Sequence, residues 1–364
     1  TGVCEKLRKE RPLIYTVTFN PAVDYVMHPT TLDMGFTNRS TSEEVRCGGN
    51  GINVSSILNE LNVDTICLGI IAGFTGDYIL ETLQSAGVTC NFVRLEKGFT
   101  RINVKLNGIV MTIINGMGPK IPNDKVDEMF GRLDRIKAGD TLVLTGSIPK
   151  CLPDDMYQII MTRLAGRGIR FVVDAPGTLL LQSLESKPFM IKPNHHELGK
   201  LFDVSPETPE ECLPYARLLH ERGAQNVVVS CGGEGSALVA ADGTEYITKC
   251  PPCRLVNATG SGDSMVAGFL ASLDAGKSYQ DALNFASACG SATAASKGLA
   301  QRSTIDKFYD SLTKIMDEEL AKKATASKEK KPAKEAKPEA KEAKPEAKEA
   351  KPEAKEAKEA KDAE

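Results

Sequence analysis

The sequence predicts an α/β domain, a mostly parallel sheet covered by helices on both faces and carrying a small extra β-layer. Three observations predict it. Short β-branched runs alternate with amphipathic helical stretches through residues 13–320, the rhythm of repeated βα units. Glycine-rich turns stand directly before two of the apolar helical runs. Two stretches, near residues 25–47 and 99–114, are β-rich but break the βα rhythm.

Residues 13–19 (LIYTVTF) read as the first strand, ended by Asn20-Pro21. Residues 52–61 read as a helix, 63–71 as a strand and 76–86 as a second helix. The segments TRINVKL and IVMTII alternate apolar and polar residues, with Asn107-Gly108 where a hairpin turns. Helix 124–135, strand 141–144, helix 154–165 and strand 169–173 follow, then strand 189–192, helices 197–202 and 209–222, and strand 226–229. The two irregular β stretches are expected as edge strands or as a small antiparallel sheet rising off the main one. No linker rich in Pro, Gly and Ser cuts residues 13–320, so one domain is expected there, after an extension over residues 1–12.

The tail differs in kind. Beyond residue 320 there is no apolar side chain larger than Ala, and KEAKPEA occurs three times from Lys334 to Ala354. Such a segment cannot bury a core. Pro338, Pro345 and Pro352 interrupt a helix every seven residues, while Glu and Lys three or four apart support the turns between. Residues 321–364 are therefore expected to be disordered or partly helical, a spacer in the plain reading and a binding segment in the other.

The whole chain of 364 residues has a net charge of -3, but the tail carries 14 Lys against 11 acidic residues, which leaves residues 1–320 at -6. An acidic body is not expected to take nucleic acid as its partner. No run approaches 18 apolar residues, so a membrane-spanning helix is excluded. The first dozen residues lack a signal-peptide core, and a chain opening on Thr1 is expected to be a trimmed form. Ten scattered cysteines suit reduced, cytoplasmic usage rather than a disulfide framework.

Chemistry concentrates at Gly260-Ser261-Gly262-Asp263, which opens an apolar helix. Glycines let the backbone turn its N–H groups inward, and the helix behind adds the unpaired donors of its first turn, a place for negative charge. Asp263 then has two readings. It caps the helix, or it is the base that takes a proton from a hydroxyl attacking a phosphoryl group held in that nest. Cys47-Gly48-Gly49-Asn50-Gly51 is another glycine turn before a helix, with Asn50 and Asn53 able to contact a polar ligand. It is neither a P-loop nor a dinucleotide fingerprint. Asp24 follows the end of the first strand, where parallel sheets keep their ligands, and suits a polyol. Residues 101, 103 and 105 share one strand face. Arg101 and Lys105 there either clamp a phosphate or line a solvated edge. Cys250-Pro-Pro-Cys253 has the spacing of a metal or redox pair but no second pair nearby, and reads as an incidental loop. His195 and His196 read as structural or rim residues, and His28 and His220 give no site signal.

Together the strings TVTFNPAVD, GGNGIN, TRINVKL, LTGSIP, VVDAPG, KPNHHEL, VVVSCGGEGS and NATGSGDSMVAGF resemble the PfkB (ribokinase-like) carbohydrate kinases, in the branch of the 1-phosphofructokinases and tagatose-6-phosphate kinases. The resemblance covers residues 13–320. It implies a three-layer α/β/α domain with a small β-sheet lid, formed from the segments near 25–47 and 99–114, and ATP-dependent phosphorylation of a ketohexose phosphate. D-fructose 1-phosphate is the leading substrate, with tagatose 6-phosphate and fructose 6-phosphate as alternatives and a non-catalytic sensor of sugar phosphates behind them.

It further implies Asp263 as base and the backbone of Gly260, Ser261 and Gly262 as the hole for the γ-phosphate. Asp24, Gly49, Asn50, Asn53, Arg101 and Lys105 fall at the sugar phosphate. Lys192, Asn194, Glu197, Ser230, Gly232, Gly235 and Asn284 or Ser287 fall along the nucleotide. Asn194 and Glu197 organise Mg2+ through water, a monovalent cation (K+) is left open, and a homodimer through the lid is implied. The branch commonly carries Lys at position 50. Asn50 removes a cation that bears on the choice of sugar, leaving Arg101 and Lys105 to compensate.

Overall fold

Ile14–Thr18 (β1) is buried at all five positions, as a strand must be when it has sheet neighbours on both sides and helices over both faces. In this computed structural model, which describes residues 12–108 and 111–329, β1 pairs in parallel with Thr65–Ala72 (β4) and with Thr141–Thr145 (β8). The sheet continues from β4 to Thr89–Leu95 (β5). On the other side it runs from β8 through Arg170–Asp174 (β9), Met190–Ile191 (β10) and Asn226–Ser230 (β11) to Ser236–Val239 (β12) and Glu245–Thr248 (β13). The strands from β5 to β11 are parallel, and β12 and β13 reverse direction.

Period-two alternation sorts the strand side chains between two cores. Tyr15, Val17, Leu142, Leu144 and Val173 face one way. There they meet Asn123–Leu133 (α3), Met156–Arg163 (α4), Thr178–Ser183 (α5), His195–Phe202 (α6) and Pro209–Glu221 (α7). Ile14, Val143, Val172 and Val228 face the other, packing on Asn50–Glu60 (α1), Ser261–Asp274 (α8), Tyr279–Ala294 (α9) and Ile305 of Arg302–Glu329 (α10). Gly73–Ser85 (α2) seats Ile79 and Leu83 on Cys67 and Ile71. Each fully buried Val, Leu, Ile or Phe here is worth about 1.5–3 kcal/mol over leaving it in water.

The irregular β stretches form a separate four-stranded sheet of Ala22–Pro29 (β2), Ser40–Gly48 (β3), Arg101–Asn107 (β6) and Met111–Asn115 (β7), in the order β3-β2-β6-β7. β2 and β6 run parallel, while the outer strands pair antiparallel.

Most predicted elements occur with their ends shifted. The strand read at 189–192 shrinks to the two residues of β10, because Pro188 and Pro193 flank it and offer no N–H to a ladder. The helix read at 197–202 starts at His195, because Asn194 caps it. The short pair β12 and β13 was not expected, although Asp242-Gly243 between them is a turn signal. The chain divides into two units, Thr1–Leu320 and Ala321–Glu364. The expected extension up to residue 11 and the tail past Glu329 lie outside the described residues. Among the described residues no helix is long and apolar enough to cross a membrane.

Candidate active site

The first turn of α8 lies beside the C-terminal ends of the central strands. Gly260 caps α8 at φ +84°, a left-handed conformation open to glycine at no steric cost. Gly262 and Asp263 follow in the first turn, where backbone N–H groups have no intrahelical acceptor. A Cβ on Gly262 would stand 2.9 Å from Lys192 Nζ, so glycine lets an ammonium come against the helix end.

Asp263 is 4% exposed, and Asn53 Nδ2 donates to its Oδ2 at 2.8 Å. Burial pushes this carboxyl up to about 7, and the neighbouring Asp174 adds to the rise. Hydrogen bonds from Asn53 and Asn50 and the charge of Lys192 pull the other way. Asn50 and Asn53 stand one turn apart on α1, so one helix end presents both amides to the carboxylate. Lys192, also 4% exposed, pairs with Asp174 Oδ1 at 3.2 Å. Burial, the largest influence, works against its charge, but Asp174, Asp263 and Glu197 overcome it and hold the ammonium above its ordinary value. Two carboxylates, one cation and a helix N-terminus thus share one dry spot. Ser261 Oγ there is buried and has no hydrogen-bond partner among the described residues.

Asp263, Gly260, Asn50, Asn53 and Gly49 open onto a cleft of about 910 Å3 whose opposite wall is the four-stranded sheet. From that wall come Asp24, Arg101, Asn103 and Lys105. Asp24 is 7% exposed. Its Oδ1 accepts from Asn103 Nδ2 at 2.8 Å, and its Oδ2 pairs with Lys105 Nζ at 2.7 Å. Arg101 Nε and Nη2 donate to the Asn20 carbonyl at 3.2 and 3.0 Å, and burial lowers its guanidinium below the ordinary value. The expected sugar-phosphate residues therefore gather in one cleft, with Lys105 neutralised by Asp24. A larger cavity, about 1100 Å3, lies at the other end of the sheet around Asp64, Gly139 and Arg170 and holds none of the expected residues.

Asn194 and Glu197 form a capping box. Asn194 Oδ1 accepts from the Glu197 N–H and Glu197 Oε2 from the Asn194 N–H, both at 2.9 Å. Such a cap stabilises a helix by about 1 kcal/mol without any ligand. His195 Nδ1 lies 3.2 Å from the Ser230 carbonyl. Gly232 and Gly235 bracket the exposed turn after β11. Asn284 Oδ1 accepts from Gln280 Nε2 at 3.0 Å, and Ser287 Oγ donates to the Lys249 carbonyl at 2.9 Å. Among the described residues no three His, Cys, Asp or Glu side chains cluster as a metal cage. Mg2+ asks for less: one or two carboxylates, substrate phosphates and its own waters. Asp174 and Glu197 fit that demand.

Sequence reasoning missed Asp174, Asn103, Arg46 and Lys297. Asp174 ends β9 as an acidic residue at the C-terminal edge of a parallel strand, a signal that was available. Asn103 shares the face already read for 101 and 105. Arg46 and Lys297 line the same cleft, and Arg46 Nη1 donates to the Lys297 carbonyl, 251 residues away in sequence. No local signal could have joined them. His28, which gave no signal, lines the cleft as well.

A family model described as the pfkB family carbohydrate kinase matches residues 17–306. The 1-phosphofructokinase of Bacillus subtilis is 41% identical over 296 residues, 81% of this chain and 97% of that protein. The D-tagatose-1-phosphate kinase of Bacillus licheniformis is 34% identical with the same coverage. Phosphofructokinase-2 of Escherichia coli, solved in complex with substrates and products, superposes with a TM-score of 0.78 at 25% identity, covering 84% of this chain and 100% of that one. The three-layer ribokinase-like arrangement expected from the sequence is the one observed.

Proposed function

The chain belongs to the pfkB family of carbohydrate kinases, and from that premise we propose that it moves the γ-phosphoryl group of ATP onto the free 6-hydroxyl of D-fructose 1-phosphate, giving fructose 1,6-bisphosphate. The observation that carries this reading is Asp263, buried, held by Asn53 and raised to about 7, across a cleft from Arg101 and Lys105. A base with that pKa is half ionised near neutrality and gains driving force as the attacking hydroxyl loses its proton.

Asp263 accepts the hydroxyl proton while Asn50 and Asn53 hold its carboxylate in line. The Gly262 and Asp263 N–H groups and the Lys192 ammonium stabilise charge spreading over the transferring oxygens. Asp24 and Asn103 accept and donate hydrogen bonds to the sugar hydroxyls. Arg101 holds the existing phosphate, and Lys105 joins it as its pairing with Asp24 is shared with the ligand. Ser230, Gly232, Gly235 and Asn284 flank the nucleotide. Asp174, Asn194 and Glu197 would hold Mg2+ through water, and the ion would supply positive charge to the nucleotide's phosphates. The four-stranded sheet acts as a lid that excludes competing water. Its edge strand β7 exposes Met111, Ile113 and Ile114 at 48–60%, which supports self-association through the sheet. A cytoplasmic setting supplies the ATP.

A second reading has its own support in the D-tagatose-1-phosphate kinase relative. The two 1-phosphates differ only in configuration at C4. Mg2+- and ATP-dependent ADP release should be measured with fructose 1-phosphate, tagatose 1-phosphate, tagatose 6-phosphate, fructose 6-phosphate and free fructose. The largest kcat/KM is expected for fructose 1-phosphate. A preference for a 6-phosphate or an unphosphorylated sugar overturns the substrate, and absence of turnover from folded protein overturns the reaction.

A further inference from the structure

Two thiols outside the proposed machinery touch each other. Cys212 Sγ on α7 and Cys231 Sγ, one residue past β11, stand 3.5 Å apart, at 0% and 2% residue exposure. They come from different elements, so the contact is a tertiary one. A disulfide needs its sulfurs at about 2.05 Å, so closing the bond brings them roughly 1.5 Å nearer. Cys231 is followed at once by the exposed turn Gly232–Glu234, which gives a small oxidant a short way in when that turn opens. The turn depends on Cys231: its N–H donates to the Gly235 carbonyl at 2.8 Å, and its carbonyl accepts from the Glu234 N–H at 3.1 Å.

We propose that Cys212 and Cys231 are a reversible thiol–disulfide site, closed by peroxide-class oxidants, that distorts the Ser230–Gly235 turn and weakens nucleotide binding. The last clause rests on the reading of that turn given above; the covalent site does not. The Cys212 thiolate attacks one peroxide oxygen, forming a sulfenic acid and releasing hydroxide. The Cys231 thiolate then attacks the sulfenic sulfur and expels hydroxide, and the two thiol protons end in two waters. Two thiols lose two electrons and one hydrogen peroxide gains them. The hydrogen bond from Cys231 lowers the Cys212 pKa, while that same contact and burial raise Cys231, which suits Cys212 as the first nucleophile.

The test treats the full chain with hydrogen peroxide, maps cysteines by peptide mass spectrometry under non-reducing conditions, and titrates ATP binding directly before and after. The expected result is a cross-linked Cys212–Cys231 peptide, absent in Cys212→Ala, with the ATP dissociation constant raised roughly tenfold and restored by dithiothreitol. Oxidation confined to exposed thiols such as Cys253 and Cys151, with Cys212 and Cys231 still reduced, overturns the site. A mapped disulfide with unchanged ATP affinity overturns the effect on nucleotide binding. Reduced protein that fails to bind ATP at all overturns the kinase reading instead, and the peptide map still decides the thiol pair. Should Cys212→Ala fold poorly, Cys212→Ser serves as the control.

Discussion

The two walls of the cleft are built on opposite plans. On one wall, Asp263 and Asn53 sit on helices of the main core, backed by Asp174 at the end of β9 and Lys192 one residue past β10, and Lys192 and Asp263 are each only 4% exposed. On the other, Asp24, Arg101, Asn103 and Lys105 project from a four-stranded sheet whose far strand leaves large apolar side chains in water. Burial tunes the first wall: it raises a carboxyl to about 7 and forces a lysine to find acidic partners. Pairing is prominent on the second: Asp24 already holds Lys105 and Asn103, while burial acts there on Arg101. Chemistry that needs a fixed proton and a fixed dipole belongs on the rigid wall. Recognition that must admit and release a sugar suits the thinner one.

The sharpest way to break this contrast is Asp263→Asn. Turnover should fall by about 10³-fold or more, with circular dichroism and ATP affinity preserved. Near-normal turnover would remove the base from that wall. On the opposite wall, Arg101→Ala should raise KM for the sugar phosphate by about 10²-fold while kcat changes far less. Lys105→Ala should act in the same direction more weakly, because its charge is shared with Asp24. A loss of kcat alone from either would place these residues in the chemistry rather than in binding.

The pH dependence sharpens it further. With Asp263 raised to about 7, kcat/KM should climb tenfold per pH unit below 7 and level off above it, because only the carboxylate accepts the proton. Stability should run the other way. A carboxyl whose folded pKa lies above its unfolded value contributes fully below about pH 4, and that contribution is lost as pH rises through about 7. Asp263→Asn should therefore melt higher than the parent at pH 8, by an amount on the order of a few kcal/mol that shrinks toward pH 4. Equal melting shifts at both pH values would contradict the raised pKa. The smallest effect is expected from Ile114→Lys on the exposed edge strand, which should shift sedimentation toward a monomer and leave stability within about 0.5 kcal/mol.

Some of this was readable residue by residue. GSGD before an apolar helix signalled both an anion nest and an acidic group at its mouth, because glycine placement and helix starts are local matters. NPAVD and TRINVKL placed Asp24, Arg101 and Lys105 by strand ends and period-two faces. Helix α6 shows where resemblance and local chemistry overlap: the resemblance puts Asn194 and Glu197 beside a water-held Mg2+, and a capping box explains their spacing equally well. The hairpin of β12 and β13 escaped notice because its strands are only four residues long and carry little periodic signal.

Local chemistry along the chain thus dictated the α/β class, the two irregular β stretches, the helix-mouth aspartate and the strand-face cations, since turn residues and apolar period act over a few residues. Only the folded chain could decide that Asn53 reaches across 210 positions to Asp263, that Lys105 is already spent on Asp24, and that Arg46 meets Lys297. It also decided that burial pushes the Asp263 carboxyl up to about 7, because desolvation depends on what covers a group and not on its neighbours in sequence.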